Sequence, residues 1–537
     1  MDTELNRAFY QRRIGLWSEW LQSQTGAVMP ITRILIDFRR WLWQARPAKY
    51  RTTPHLLRSS IQIAFLLTFM LCSKTEEAQE VPRSVDKPWI APEKQRQSQE
   101  RFSSATTGTP MDAGHTYSLA ELVDLAESSN PQTRSAWESA KIRAADLRIA
   151  KSELYPALTG VMLGETDRQR LLLDTTYARQ TIGLYQPTLE VSYLLLDFGG
   201  RAGRIKEARQ QLLQADYAFN ANHLAVFYEV AHSYLKLLEA LGQRHAAELD
   251  VEDAQTVQSS IEDKLKDGLA TLPNVLQARA ETAQAQYTLS SVEGKVDVAR
   301  GELLSTVGSS PLQPLEVEDL DSLQQPEEQG QGAQAYVERG LGQRPEIGEE
   351  LAKEAEARAK VGEMRSAYFP SLSLKGEGGE GRAYAQQDLL PGVYFGPAEV
   401  WKVQLGLRWT LFDGFAREAR VAEAHAEEQR ARADAEQMRD QVELQIWTTF
   451  IDLRTALKQR DAAAASLHAA EVSYDATVDS LKAGLSTTLD LVSAQRNLAQ
   501  ARSNDVTAKT NVLEQVAKLA YRTGDLLNRP APGKVIP

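Results

Sequence analysis

The sequence predicts a mixed fold in which very long paired helices join four strands, with the whole plan written twice. Three observations predict it. First, a strand runs straight into a helical sequence. Val403, Leu405, Leu407, Trp409 and Leu411 alternate with other residues, the period of a strand with one apolar face, and a turn ending at Arg417 leads into a long charged stretch. Residues 184–201, closing on Leu-Leu-Leu-Asp-Phe-Gly-Gly-Arg, repeat that passage earlier in the chain. Second, four landmarks keep nearly one offset: Pro131 with Pro345 and Pro156 with Pro370 at 214, Gly199 with Gly414 at 215, Gly268 with Gly484 at 216. Such agreement marks an internal duplication. Third, no proline interrupts 200–272 or 398–529, and apolar residues three and four apart run through both stretches. Leu224, Phe227, Ala231, Tyr234 and Leu238 form one seam; Leu491, Ala494, Leu498, Ala501, Ala508 and Val512 form the other.

Taken in order, the chain opens on a basic segment, 1–60, with ten Lys/Arg against four Asp/Glu and with Trp17, Trp20, Trp41 and Trp43 among its arginines. The apolar run 61–72 is too short to span a bilayer as a helix, which needs ~20 residues. It fits the core of a signal peptide, so 1–73 is expected to be a leader, with Met29 an alternative start. Cys72 is the sole cysteine and rules out an intrachain disulfide. Two readings of it stay open: a lipidation site, although Leu71 departs from the small residue expected there, or a leader residue that is removed. The proline-rich, aperiodic stretch 74–116 reads as a disordered linker.

The ordered body is expected from Tyr117. Ser118 with Glu121 three residues on reads as a capping box. A short helix should stop at Asn130-Pro131 and a second at Leu154. Strands are expected at 157–165 and 182–196, with a loop at 165–179. One helix of ~65 residues, roughly 100 Å, should then run to Lys266, break at 267–275 and resume from Asn274 to Val307. Residues 309–333 read as a connector, 117–308 and 334–527 as the two repeats, and 528–537 as a tail. In the second repeat 380–397 reads as the equivalent loop and Gly524 as the end of the last helix.

Composition narrows the function. Charged residues are 25% and mean hydropathy is −0.39, which excludes a polytopic helical membrane protein. The net charge of −11 lies wholly outside the basic start, so nucleic acid is excluded as the main partner. The seven histidines include no His-Glu-x-x-His, no Gly-x-Ser-x-Gly or Walker loop occurs, and the chain is not expected to be an enzyme or to hold a cofactor or metal. His223 and His232 read as packing or wall residues. Gly376-Glu-Gly-Gly-Glu-Gly381 matches a dinucleotide fingerprint only formally, with no strand–helix context.

Physics adds a requirement. Four strands are too few to close a barrel, and an open sheet edge in lipid leaves backbone groups unpaired at several kcal/mol each. Strands of this kind enter a membrane only if several chains pool them, in a symmetric oligomer.

The paired Tyr155-Pro156 and Phe369-Pro370 strand starts, the Asp197-Phe-Gly-Gly-Arg201 and Asp413-Gly-Phe-Ala-Arg417 turns and the two Gly-Leu-x-Thr breaks resemble the TolC-type outer-membrane efflux factors over about 117–527. The resemblance implies a long α-helical coiled-coil tunnel joined to a four-strand contribution to a trimeric transmembrane β-barrel. It implies a homotrimer in the outer membrane with a periplasmic extension, partnered by a periplasmic adaptor and an inner-membrane transporter. The function implied is an exit channel for small molecules (drugs, toxic compounds or metal ions), with protein secretion as the alternative cargo. A soluble periplasmic coiled-coil scaffold is the rival class; the four lipid-facing strand candidates weigh against it.

Carried over by position, Gly268, Leu269, Thr271, Gly484, Leu485 and Thr487 are the tips offered to the adaptor, or simply turn formers. Asp490 falls on an acidic position that rings the family's aperture, and the second such position is Ser493 here; the alternative for Asp490 is a helix N-cap. Asp197, Gly199, Gly200, Asp413 and Gly414 are the strand-to-helix turns. Trp401 and Trp409 are expected in aromatic girdles at the membrane surfaces, the alternative being that they simply pack in the strands.

Overall fold

The computed structural model describes residues 110–173, 176–323, 326, 332–387 and 390–528, together with 97, 98, 100 and 101. The leader, Cys72 and 529–537 lie outside the described residues. The chain divides into two compact units, Met1–Ser104 and Ala105–Pro537; in the first, the four described residues are helical.

In the second unit the order is β1 (Thr116–Tyr117), α1 (Leu119–Ser129), α2 (Pro131–Ser152), β2 (Ala157–Leu173), β3 (Thr176–Leu196), α3 (Gly200–Lys266) and α4 (Leu272–Val307). The second half follows with β4 (Glu316–Val317), α5 (Ala333–Gln343), α6 (Pro345–Ser366), β5 (Ser371–Gln387), β6 (Leu390–Arg408), α7 (Ala416–Lys482) and α8 (Thr488–Thr523). Equivalent helices have equal lengths: α3 and α7 are both 67 residues, α4 and α8 both 36. The duplication is therefore structural as well as sequential.

Local chemistry sets the helix starts. Ser118 and Glu121 form the reciprocal capping box, and Asn130 Oδ1 accepts the Gln132 N–H at 2.7 Å just ahead of Pro131. Arg344 holds the equivalent place in the second half but makes no cap. Its guanidinium instead pairs with Glu346 at 2.6 Å and donates to Gln445 at 2.7 Å.

The long helices pack side by side, α3 on α2, α4, α6 and α8, and α7 on α5, α6 and α8. The main core lies where α1 crosses α3 and α4, with Leu122, Val123, Leu237, Leu238, Leu303 and Leu304 buried. A smaller cluster of Tyr336, Val442, Ile446 and Leu519 does the same for α5, α7 and α8. Segments expected as linkers also join this core. Met111 is buried and its N–H donates to Gln313 Oε1 at 2.6 Å, β1 pairs with β4 in parallel, and Leu315 and Leu320 of the connector are buried. Polar composition had read as linker, but a few apolar contacts suffice to pin such a strap.

The four long strands form one antiparallel sheet in the order β2-β3-β5-β6, and among the described residues no further strand pairs with the edges β2 and β6. Directly paired residues share a face. One face carries Leu158, Met162, Leu189, Val191, Leu374, Val403, Leu405 and Leu407; the other carries the row Thr159, Glu190, Glu377 and Lys402. Trp401 is 83% exposed on the apolar face, and Trp409 lies about 27 Å further along the chain, roughly 20 Å in height once strand tilt is allowed for, somewhat less than the ~25 Å of an outer-membrane apolar band.

Two expectations are corrected. The segments 165–179 and 380–397 are mostly strand, since the ladders run on from Glu165↔Leu184 to Leu173↔Thr176 and from Glu380↔Glu399 to Gln387↔Leu390. Their polarity signals no loop, because backbone pairing is indifferent to side-chain charge. Gly376–Gly381 likewise lies inside β5 and opens no helix. A third, smaller difference is that α4 starts at Leu272, with Pro273 in its first turn.

Above the apolar band, the Tyr384 ring lies over Gly183, and its hydroxyl sits 3.2 Å from Thr166 Oγ1. A side chain at 183 would occupy the ring's place. Gly183→Ala should therefore lower stability by about 1–3 kcal/mol, read as a lower temperature for the heat-induced gel shift of the barrel. An unchanged transition would mean the clasp contributes nothing.

Candidate functional site

The first half passes from strand to helix through three residues, 197–199, and the second through seven, 409–415; both connections end in the same contacts. Asp197 Oδ2 accepts the Arg201 N–H at 2.5 Å, and Asp413 Oδ2 accepts the Arg417 N–H at 3.1 Å, so each aspartate satisfies a free donor at its helix start. The arginines then reach back. Arg201 donates to the carbonyls of Leu194 (2.7 Å) and Glu153 (3.1 Å); Arg417 donates to those of Leu411 (3.1 Å) and Ala367 (3.4 Å). One guanidinium thus ties the strand end, the end of the preceding short helix and the start of the long helix. The two residues after each aspartate are left-handed: Phe198 and Gly199, then Gly414 and Phe415. The matching Asp–Arg contacts put the two turns at an offset of 216, so Gly414 corresponds to Phe198; the pairing with Gly199 is corrected.

At the far ends of the long helices the chain reverses twice more. Gly268 and Gly484 are left-handed, both at φ 75°, and the next N–H reaches back five residues, Leu269 to Lys264 at 2.7 Å and Leu485 to Ser480 at 2.8 Å. These are Schellman closures, which need the αL residue that glycine adopts without strain. They leave Leu269 76% and Leu485 83% exposed.

Thr271 and Thr487 are the N-caps of α4 and α8. Thr487 donates through its N–H (2.9 Å) and hydroxyl (2.7 Å) to Asp490 Oδ2, while the Asp490 N–H donates to Thr487 Oγ1 at 3.2 Å. Asp490 is therefore the third residue of α8 in a capping box, not its N-cap. The Thr487 hydroxyl and N–H hold its carboxyl below the usual carboxylate range. Ser493 Oγ turns back to the Leu489 carbonyl at 2.8 Å.

The two tips lie together. Lys264 Nζ donates to the Leu481 carbonyl at 2.9 Å, Asn274 Nδ2 to Thr488 Oγ1 at 3.2 Å, and Val257, Ile261, Val275, Ala278 and Leu491 bury one another between them. Farther up, Arg502 of α8 bridges Asp253 (2.7 Å) and Asp250 (3.0 Å) of α3, and Arg496 pairs with Glu281. Among the described residues no cluster of His, Cys, Asp or Glu could hold a metal. His223 and His232 pair instead with Glu127 (3.6 Å) and Glu514 (3.1 Å).

A family description, Outer membrane efflux protein, matches residues 122–309 and 337–525, most of the chain. The chain belongs to the outer membrane efflux protein family. Protein CyaE of Bordetella pertussis is 26% identical over 78% of this chain and 86% of its own length. The pyoverdine export outer membrane protein OpmQ of Pseudomonas aeruginosa is 27% identical over 66% and 74%. Among solved structures, CusC superposes with a TM-score of 0.65 at 20% identity, covering 77% of this chain and 95% of CusC; the outer-membrane channel OprN gives 0.66 at 18%, covering 82% and 98%.

As a member of this efflux family the protein is an outer-membrane exit channel, its sheet in the membrane and its long helices extending into the periplasm. The structure brings Gly268, Leu269, Thr271, Gly484, Leu485, Thr487 and Asp490 to one end and Asp197, Gly199, Gly200, Asp413 and Gly414 to the other. Arg201 and Arg417 complete the turns. Their sequence signal was present, an arginine four residues after an aspartate in both halves, but the backbone carbonyls they reach leave no trace in sequence.

Arg417→Ala should strand the half-buried Asp413 and cost about 2–3 kcal/mol, measured by unfolding of the purified protein. Arg417→Lys should recover little, because an ammonium lacks the fork that spans two carbonyls. Arg430→Ala, on an exposed stretch of α7, should stay within about 0.5 kcal/mol of wild type; equal losses at 417 and 430 would refute the clamp.

Proposed function

We propose that three copies of this efflux-family chain pool their strands into one twelve-stranded barrel and their helices into one tunnel, forming the outer exit of an export assembly. The carrying observation is the sheet itself: one face apolar and exposed, both edges without a further strand among the described residues, and each strand pair continued by a helix of 67 residues. Pairing β6 of one copy with β2 of the next satisfies those edges without leaving backbone bare in lipid. The repeats at 117–308 and 334–527 act as pseudo-equivalent units of this assembly. The cargo is small molecules, a reading supported by relatives named for pyoverdine export and for cation efflux.

The exposed Leu269 and Leu485 at the tips are the surface for a periplasmic adaptor, which couples the channel to an inner-membrane transporter. Asp490 stands beside them and, repeated around a threefold axis, lines the periplasmic opening; Ser493 on the next turn adds no charge. The Asp490 carboxyl, held below the usual carboxylate range by the Thr487 hydroxyl and N–H, keeps both the negative charge and the capping box into that lower range. Both are fully present at neutral pH and are lost as the pH falls through that depressed value.

Two measurements follow. In planar bilayers Asp490→Ala should raise single-channel conductance and weaken cation preference. Asp490→Asn, which keeps a hydrogen-bonding cap, should weaken the preference equally; a change seen with Ala alone would assign Asp490 to capping only. Photo-crosslinkers at Leu269 or Leu485 should capture one adaptor and its transporter, whereas labels on the exposed Leu444 of α7 should not. Equal capture from both places would reject the tips as the docking surface.

A further inference from the structure

The two halves surround their helices differently. α6 lies between α3 and α7 and packs on both, whereas its repeat α2 packs on α3 alone of these two. In the same way α3 packs on both α2 and α6, whereas its repeat α7 has only α6. Among the described residues the chain therefore lacks one contact, α2 with α7, and each of these helices keeps a free side. Two different faces that meet head to tail build a ring of copies when the rotation closes.

The contact that is present, α3 with α6, supplies the register. The two helices run antiparallel: Gly200 faces Ser366, and a Cβ at Gly203 would lie 2.8 Å from Glu363 Cβ. Arg204 donates to Glu363 at 3.3 Å and Gln211 to Glu356 at 2.8 Å. The repeat offsets, 214 for the short helices and 216 for the long ones, turn Glu356 and Glu363 into Ile142 and Ile149. They turn Gly203 and Gln211 into Ala419 and Glu427. Two carboxylates thus give way to two isoleucines on one face of α2, 61% and 67% exposed in the single chain. The free side of α7 matches them. Ala419, Ala422 and Ala426 are exposed there at helical spacing, the last two in place of Lys206 and Gln210 of α3. Branched side chains set over small ones let helices pack closely. The strand starts follow suit: Phe369 stacks on Phe198 at 5.2 Å, whereas its repeat Tyr155 is 72% exposed with no described ring beside it.

We infer that α2 of one copy lies antiparallel against α7 of the next, Ile142 over Ala426 and Ile149 over Ala419. An apolar seam then joins copies where a polar, partly ionic one joins the halves of each chain. The inference rests on the three-copy reading above and adds the faces, the register and the chemistry of the contact. The chemistry also keeps the two seams apart. An isoleucine face offers nothing to Arg204 or Gln211, and a glutamate face would meet Glu423 and Glu427 on α7, so neither short helix suits the other's place.

The test uses the full-length protein extracted in detergent, with Cys72, the sole native cysteine, replaced by serine. Cysteine pairs at 142 with 426, and at 149 with 419, should cross-link copies into covalent dimers and trimers on oxidation. The pair at 142 with 419 should not, because seven residues displace it by ~10 Å, beyond the reach of a disulfide. Each single cysteine should also fail, since the faces differ; a cross-link from Ile142→Cys alone would mean like faces meet and would overturn the inference. In a second measurement, Ile142→Glu gives α2 the residue type of α6 but sets it against Glu427. At the temperature where half the wild type remains trimeric, its trimer-to-monomer ratio should be lower by roughly tenfold or more. Leu351→Gln, on an exposed part of α6, should match wild type; an equal loss there counts against the seam. Native mass spectrometry separates the two readings. A trimer that forms neither in-register cross-link refutes the α2–α7 contact and leaves the three-copy reading standing, whereas a monomeric wild type overturns both.

Discussion

The junction between ladder and helix is the constraint on which the rest depends. A strand ends with carbonyls that its ladder no longer serves, and a helix begins with amides that it cannot yet serve. Here both sets are served at the junction, by Asp197 or Asp413 for the amides and by Arg201 or Arg417 for the carbonyls. The turn accepts a left-handed phenylalanine in each half, a conformation bulky residues rarely take. In the first half three residues separate sheet from helix, and in the second the seven residues 409–415 do, tied down by Arg417 to the Leu411 and Ala367 carbonyls, so each 67-residue helix stays anchored to the strand before it.

The two halves share lengths and differ in chemistry. At the third residue of the tip helices, the first half has Asn274, which reaches across to Thr488, and the second has Asp490, which folds back on its own cap. A duplicated scaffold thus offers one neutral tie and one charge at nearly the same place. Arg502, held between Asp250 and Asp253, joins the two hairpins higher up; burial favours the neutral form of Asp250 and outweighs the guanidinium, which leaves its carboxyl above the usual range. The sheet shows the same economy: alternation alone puts apolar side chains outside and the Glu190–Glu377–Lys402 row inside.

Much of this was legible in sequence. The Ser118–Glu121 box, the ends of the long helices and the left-handed glycines at 268 and 484 follow from local chemistry, where a few adjacent residues decide the conformation. The duplication was legible because landmark residues that need special backbone angles kept their spacing. The strand ends were misread because polarity is a weak signal for the end of a ladder whose partners lie far away in the chain. The turn offset was misread at Gly199 because two consecutive left-handed positions allow glycine to sit at either.

By itself, then, the sequence determined the periods, the breaks, the repeat and the family, all of which depend on neighbours within a few residues or on spacing. Only the tertiary structure decided which residues share a face, how far the strands run, that both tips meet at Lys264, Asn274 and Leu491, and that two arginines bind the junctions. Those facts depend on backbone carbonyls and cross-strand partners up to some two hundred residues away, which no local pattern encodes.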